Sequence, residues 1–411
     1  MRIHSFKKSV QFIHGTAGTS AKLRFLALFV ALLLCFSCCS ALAESPASSE
    51  EPPGETGEKT DEFAPSGGGL AEDGEMDEFG SSGGSAAEGG DGLPMLTEDS
   101  FSADDIPDDM LTPTKQKGRV EKVRYTTDNS SSADDPFAPS SSSSASDETD
   151  TEDVKSVLVY LPYGYDDSQE PYDILYLLHA SGGSMKNYLD TDRVTELQCL
   201  LDRMIENGKL KPLIVVAASY YPSQGITQFL PLMAQVTVTA SFPQEMVEDI
   251  LPAVESQYRT YAASASEEDL VASRDHRGIA GFSLGGVATW YMFLQEMRMF
   301  KWFLPISEAS WDDGEGGTSG IWDSDVSAQV LYDAVVAQGY AKNDFRLYVA
   351  TGTEDEAFDI STSQMASLLE YDDMFKPGEN TSCSMMLDGT HTLRAVYTYL
   401  YHILPSLFLN E

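Results

Sequence analysis

Basic residues, cysteine and histidine are scarce in this chain. The 411 residues include 26 lysines and arginines against 65 aspartates and glutamates, which gives a formal net charge of −39. Such an excess of acid argues against nucleic acid or an anionic membrane surface as a partner. Of the 5 cysteines only Cys199 and Cys383 lie beyond residue 43, and these two form no CxxC pattern; the 6 histidines form no HExxH pattern. The sequence therefore predicts neither a metal site nor a metal cofactor.

The first 43 residues lack acidic side chains, and they lack an apolar run long enough to span a bilayer comfortably. The apolar stretch from Phe25 to Phe36 follows several basic residues and precedes Ala41-Leu42-Ala43, a cleavage site of small residues. This layout predicts a signal peptide over residues 1–43 and a secreted or cell-surface protein. An uncleaved membrane anchor is one alternative. A lipoprotein, suggested by Cys38 and Cys39, is another.

Two further segments are poor in apolar residues. Residues 44–115 hold 20 acidic and 2 basic side chains among many Gly, Ser and Pro, and residues 129–153 are rich in Ser and Asp. Neither can bury enough apolar surface to offset its ordering entropy, so we interpret them as a disordered linker and a disordered insert. After signal cleavage Cys199 and Cys383 remain, and we expect two free thiols rather than one bridge.

Alternating and apolar runs from residue 116 to 411 predict one α/β domain. The first two predicted strands form a hairpin around the insert, and helical patterns separate the six later strands. This arrangement favours an α/β-hydrolase fold, with about eight mostly parallel strands covered by helices on both faces. The predicted strands cover residues 119–126, 155–162, 173–180, 213–218, 278–283, 302–307, 345–352 and 383–389. Two of the predicted helices cover residues 187–208, ending at Gly208, and residues 241–258, beginning at a capping Ser241.

The motif that carries chemistry is Gly281-Phe282-Ser283-Leu284-Gly285. It fits the GxSxG pattern of a nucleophile elbow, in which a serine sits on a tight strand-to-helix turn. Residues 80–84 also fit the pattern, but they lie in the acidic linker with no strand before them and no helix after them. The copy at Ser283 has both, so Ser283 is the predicted nucleophile.

A serine hydroxyl needs a base, and the base needs an acid. His391 lies between the last predicted strand and the last helix, where a hydrolase sheet carries its base. We set aside His179 as a residue that orients a loop, and also two others: His276 and His402. Between Ser283 and His391, the loop after the penultimate strand contains Asp355 as the first choice of acid and Glu354 as the second.

An oxyanion formed at Ser283 needs two N–H donors. The amide of Leu284, directly after the serine, is the first. The second is expected from the glycine loop after an earlier strand, from Ala180 or Ser181, where Gly182 and Gly183 let the backbone approach a substrate.

Five segments together resemble carbohydrate esterase family 1, which includes feruloyl and acetyl-xylan esterases and is akin to esterase D and the mycolyl transferases. They read SRDHRGIAGFSLGG, VLVYLPYGYD, ILYLLHASGGS, VATGTED and DGTHTLRAV. The resemblance runs from about Gly118 to Leu409 and implies an α/β-hydrolase fold, no cofactor and cleavage through an acyl-enzyme. It also implies Ser283 as nucleophile, Asp355 as acid and His391 as base. Ala180 departs from the usual glycine at its position.

Four aromatic residues lie beyond predicted strand ends and are candidates for binding a phenolic acyl group or a sugar. They are Tyr220, Tyr221, Trp311 and Trp322. The leading hypothesis is a secreted serine esterase that acts on feruloyl or acetyl esters of polysaccharides. An acyltransferase or a siderophore or peptide esterase of the same fold is one alternative, and a non-catalytic surface binding module is another.

Overall fold

The computed structural model describes residues 106–107, 109–128, 153–222 and 231–409. Within these residues eight strands form one sheet. The strands are β1 (Arg119–Thr127), β2 (Asp153–Leu161), β3 (Ile174–Leu178), β4 (Ile214–Ala218), β5 (Arg277–Phe282), β6 (Trp302–Ile306), β7 (Arg346–Glu354) and β8 (Thr381–Thr390). All eight predicted strands are present, with ends that differ from the prediction by at most two residues.

The strands follow the order β1-β2-β4-β3-β5-β6-β7-β8. β1 and β2 form the predicted antiparallel hairpin, and β2 pairs antiparallel with β4. All the other pairs are parallel. The carboxyl ends of β3 to β8 therefore meet at one edge of the sheet, which is where ligands bind in sheets of this type.

Helices cover both faces of the sheet. They are α1 (Glu196–Glu206), α2 (Leu232–Glu245), α3 (Leu251–Glu255), α4 (Glu267–Ala272), α5 (Leu284–Gln295), α6 (Ser324–Ala337), α7 (Phe358–Leu368) and α8 (Leu393–Ile403). Successive strand residues belong to different apolar clusters: Val216 packs with the helix residues Phe242 and Trp290, whereas Val215 packs with Leu200 and Leu400. This two-sided burial explains why the central strands are apolar along their whole length.

Two helix boundaries differ from the sequence prediction. α1 begins at Glu196, where the Thr195 side chain accepts a hydrogen bond from Gln198 N–H, so the preceding residues with similar spacing are not part of it. The next helix was expected to begin at a capping Ser241. Instead α2 begins nine residues earlier, and the Ser241 hydroxyl donates to Val238 O at 3.0 Å. Burial of Val236 in the core stabilises this extra length.

Residues 1–105 and 129–152 lie outside the described part of the chain, so the signal peptide, most of the acidic linker and the insert stay predictions. The predicted end of the linker at residue 115 needs correction, because Ile106 and Met110 are buried in an apolar cluster of the domain. Among the helices that the structure does describe, none is long and apolar enough to cross a membrane. Cys199 is buried, Cys383 is half-buried, and both are free thiols, as expected.

Candidate active site

Ser283 occupies a strained turn between β5 and α5. Its backbone has φ 56° and ψ −122°, a conformation with positive φ that costs a non-glycine residue about 1–3 kcal/mol. The neighbouring backbone fixes it there: Ser283 N–H donates to Ile306 O at 2.9 Å, and Val287 N–H donates to Ser283 O at 3.0 Å. The predicted strand, turn and helix are all present, and the serine lies at the amino end of α5.

The two glycines of the motif are required by close backbone approach. A Cβ on Gly281 would lie 2.0 Å from the carbonyl oxygen of Gly285, and a Cβ on Gly285 would lie 2.4 Å from Leu178 O and 2.7 Å from His179 O. The turn therefore packs against itself and against the end of β3. This second contact joins the elbow to the glycine loop that follows β3.

Asp355 and His391 form a hydrogen bond at the ends of β7 and β8. His391 Nδ1 lies 2.8 Å from Asp355 Oδ1. The Asp355 side chain is fully buried and also accepts from Ala357 N–H at 2.8 Å, whereas 20% of the His391 side chain is exposed. A carboxylate only accepts, so His391 donates from Nδ1 and its Nε2 can accept a proton. Glu354, the second choice of acid, is exposed.

The His391 ring also lies beside the elbow. Its centroid is 4.5 Å from that of Phe282, the residue before Ser283. Although burial lowers the pKa of His391, the hydrogen bond to Asp355 and the negative charges of Asp355, Glu356 and Glu308 raise it above the usual value. The surroundings thus stabilise the protonated imidazole that a general base becomes during catalysis.

A second pair of glycines brings the acid and the base together. A Cβ on Gly352 in β7 would lie 2.1 Å from Gly389 O in β8. The register between the two strands shifts just after this contact, so that Glu354 pairs with Thr390. Asp355 and His391 are the next residues on their strands, and the close approach places them side by side.

The buried side chain of His179 is hydrogen-bonded to the glycine loop that follows β3. Its ring is 1% exposed, and burial lowers its pKa to about 4, so the ring is neutral at pH 7. Nδ1 lies 2.8 Å from Ala180 O and must donate, since a carbonyl only accepts. Nε2 then accepts from the Ser219 hydroxyl at 2.8 Å. His179 therefore orients the loop, as the sequence suggested.

Four amides of this loop divide into two kinds. Gly182 N–H donates to the Tyr221 hydroxyl at 2.9 Å, and Gly183 N–H donates to Ala180 O at 3.0 Å. The N–H groups of Ala180 and Ser181 have no partner among the residues that the structure describes. Together with Leu284 N–H at the first turn of α5, these two amides are available to an oxyanion, and the oxyanion role of the three residues stays a prediction.

The predicted roles of Tyr220 and Tyr221 need correction. The two residues are 2% and 9% exposed. Tyr220 donates its hydroxyl hydrogen to His179 O at 2.8 Å, and Tyr221 binds the loop as described. Their rings pack on the His179 ring, with centroids 4.6 and 5.2 Å away. They lie beneath the glycine loop and support it, so they are not free to stack on a substrate.

The two candidate tryptophans differ in exposure. Trp311 is 5% exposed and donates from Nε1 to Glu308 Oε1 at 3.2 Å, so it mainly packs and positions a neighbour. Trp322 is 54% exposed and ends a short 3-10 helix, Ser319–Trp322. Of the four predicted aromatic residues, Trp322 is the one whose ring is open to solvent.

Sequence reasoning missed Glu308, which follows β6. Its Cβ lies 3.1 Å from where a Cβ on Gly286 would be, directly beside the elbow helix. Its Oε1 accepts from Ala309 N–H at 3.1 Å as well as from Trp311. Burial raises the pKa of Glu308 to about 7, and the charges of His391 and Asp355 also act on it. One signal was in the sequence: Glu308 also lies between Ser283 and His391.

The other predicted or rejected groups lie apart from this site. His276 Nδ1 is 2.7 Å from Asp173 Oδ1, just before the amino end of β5, and His402 lies on α8. Among the described residues, no cluster of three or more His, Cys, Asp or Glu side chains could hold a metal ion.

The fold and this geometry agree with comparisons to known proteins. Residues 149–392, more than half of the chain, match the family model "Esterase", described as "Putative esterase". The chain belongs to this esterase family. Endo-1,4-beta-xylanase Y of Acetivibrio thermocellus is 31% identical over 307 residues, 74% of this chain and 24% of that protein. An endo-1,4-beta-xylanase/feruloyl esterase of Xylanibacter ruminicola is 28% identical over 155 residues, 36% of this chain and 19% of that protein. This esterase therefore spans about a quarter or less of the length of these curated relatives.

Solved structures extend the comparison. The feruloyl esterase module from Clostridium thermocellum, complexed with sinapinate, is 28% identical with a TM-score of 0.61, over 77% of this chain and 95% of that one. The CE1 ferulic acid esterase from Anaeromyces mucronatus shares the fold at 18% identity and a TM-score of 0.52, over 74% and 96% of the two chains. These findings confirm the predicted α/β-hydrolase fold, the family resemblance and the predicted enzyme class, a carboxylic ester hydrolase.

Proposed function

We propose that this esterase is a secreted enzyme that hydrolyses feruloyl or acetyl esters of polysaccharides through Ser283, Asp355 and His391. The observation that carries the proposal is the 2.8 Å bond between His391 Nδ1 and Asp355 Oδ1 beside a serine on a strained elbow. This is the arrangement in which an imidazole can activate a hydroxyl group.

The proposed mechanism has two halves. Ser283 Oγ attacks the ester carbonyl carbon while His391 Nε2 accepts the hydroxyl proton, and Asp355 stabilises the resulting imidazolium. The N–H of Leu284 and an N–H of Ala180 or Ser181 stabilise the negative oxygen of the tetrahedral intermediate. His391 then protonates the departing alcohol, and a water molecule repeats the sequence on the acyl-enzyme to release the acid.

The substrate class is proposed from the relatives and from an exposed aromatic ring in the segment between β6 and α6. Two curated relatives carry xylanase in their names, and one solved relative is a feruloyl esterase module complexed with sinapinate. The exposed ring of Trp322 offers a surface on which an aromatic acyl group or a sugar can stack. Secretion is proposed from the predicted signal peptide, residues 1–43.

The test is hydrolysis of methyl ferulate and aryl acetates by the full chain and two serine variants. Ser283→Ala should lower kcat by about 10⁴-fold or more. Ser82→Ala changes the serine of the other GxSxG match and is the matched control, which should keep full activity. Equal activity of Ser283→Ala and the wild-type chain would refute the triad assignment.

Two other results, one from the hydrolysis assay and one from covalent labelling, would favour the alternatives. Mostly acylated product in the presence of a competing alcohol would indicate an acyltransferase. A wild-type chain whose Ser283 does not react with a fluorophosphonate probe would indicate a binding module without catalysis.

A further inference from the structure

A small hydrogen-bond network joins the glycine loop to α2. The Tyr221 hydroxyl donates to Gln235 Oε1 at 2.5 Å, and the Ser181 hydroxyl donates to the same oxygen at 2.8 Å. Tyr221 in turn accepts from Gly182 N–H at 2.9 Å. We call Tyr221 and Gln235 the loop clamp. Both side chains are at most 9% exposed, and the bond between them is buried and so shielded from competing water.

The loop has little else to hold it at this point. Gly182 has φ +69°, and a Cβ built there would meet nothing within 4 Å. Side-chain packing therefore cannot fix its backbone, which is held by the hydrogen bonds of the clamp together with the turn bond from Gly183 N–H to Ala180 O. The clamp bonds act on Ser181 and Gly182 from two directions, one through a hydroxyl group and one through an amide.

The clamp also decides which amides stay available. It occupies Gly182 N–H, while Gly183 N–H is used within the loop. Ala180 and Ser181 follow directly after Leu178 and His179, whose carbonyl oxygens pack against Gly285, so the loop begins beside the elbow. An oxyanion donor is useful only in a fixed position, and a displacement of 1 Å costs about 100-fold in rate.

We propose that Tyr221 and Gln235 are positioning residues for the oxyanion-binding loop, which they hold in the geometry that the tetrahedral intermediate requires. This inference rests on the proposed esterase function. Neither residue touches the reacting atoms. Their effect should therefore appear in binding of the transition state and not in binding of the product acid.

The main experiment uses Tyr221→Phe in the full chain, which keeps the ring and removes the hydroxyl group. We expect kcat/KM for methyl ferulate to fall by about 10- to 100-fold. Phenylboronic acid adds to a serine oxygen to form a tetrahedral adduct, and its affinity should fall by a similar factor. The affinity for ferulic acid, which forms no such adduct, should stay within twofold of the wild-type value.

Tyr160→Phe is the matched control. It also removes a buried tyrosine hydroxyl, which donates to Asp202 Oδ1 at 2.8 Å on α1, but it does not touch the glycine loop. It should be destabilised in thermal unfolding and keep the wild-type ratio of boronate to ferulate affinity. Gln235→Leu should lower the boronate affinity as Tyr221→Phe does. The boronate affinity of the double variant should fall no further than that of the single variant with the larger loss, since both changes release one loop.

Three results would overturn the inference. One is a boronate affinity of Tyr221→Phe within twofold of wild type, and another is an equal loss of boronate and ferulate affinity, which indicates general damage to the site. The third is additive losses in the double variant. An inactive wild-type chain would refute the proposed function itself, whereas an active wild type with an unaffected Tyr221→Phe would refute only the clamp.

Discussion

Replacing Gly285 by alanine should separate the nucleophile from the oxyanion-binding loop. The new Cβ would lie 2.4 Å from Leu178 O and 2.7 Å from His179 O, whereas ordinary contacts begin at 3.4 Å. Both obstructing atoms belong to the backbone, so no flexible side chain can move aside. The elbow and the end of β3 must therefore move apart.

The expected size of the effect follows from that overlap. Relief of the closer contact needs a movement of about 1 Å, which is enough to lower kcat/KM by about 100-fold when it falls between a nucleophile and its oxyanion donors. Overpacking of this kind also lowers the free energy of unfolding by about 1–3 kcal/mol. Activity should thus fall far more than stability.

Steady-state hydrolysis of methyl ferulate and thermal unfolding measure the two effects. Gly339→Ala is the matched control, since Gly339 has φ +80° after α6 and a Cβ there meets nothing within 4 Å. Backbone strain should cost this variant about 1–2 kcal/mol of stability with no loss of kcat/KM. If Gly285→Ala kept kcat/KM within threefold of wild type, the elbow and the loop would not be coupled through this contact.

Two further predictions concern the base. Asp355→Asn should lower kcat by about 10⁴-fold in the same assay, because asparagine does not hold His391 with Nε2 ready to accept a proton; a loss below tenfold would argue against the triad. His391 must be neutral to act, so activity falls as pH falls through its pKa, which the Glu308 carboxylate raises. Glu308→Gln should therefore move the acidic limb of the kcat/KM–pH profile to lower pH, and an unmoved limb would contradict this coupling.

Much of the fold was predictable because it depends on local patterns. Apolar runs of five to six residues, such as β4 and β5, are buried on both faces of the sheet, and their length and composition already indicate this. The start of α2 was not predictable in the same way. Ser241 is a good capping residue, but burial of Val236 and Phe242 in the core outweighs that local preference.

In the candidate site, too, some features were predictable from local patterns and others depend on contacts between distant segments. Chain order and the strand–helix context predicted Ser283 and His391, and the position after the penultimate strand made Asp355 the first choice of acid, ahead of Glu354. The hydrogen bond to His391 selects Asp355, and it depends on the contact of Gly352 with Gly389 across two strands. No feature of either glycine in the sequence indicates that it meets the other.

The sequence by itself determined the kind of fold and was enough to predict a nucleophile, a base and a glycine loop, because these depend on short-range patterns and on strand order. Only the tertiary structure decided that the Asp355 carboxyl, the first choice from sequence, does bond to His391, and what the tyrosines after β4 do. Those roles depend on contacts between distant segments: Tyr221 reaches Gly182 and Gln235 only because the loop folds back over β4. A position directly after a strand predicts that a residue lies near the carboxyl edge of the sheet. The packing around it then decides whether its side chain is open to a substrate or supports a neighbouring loop.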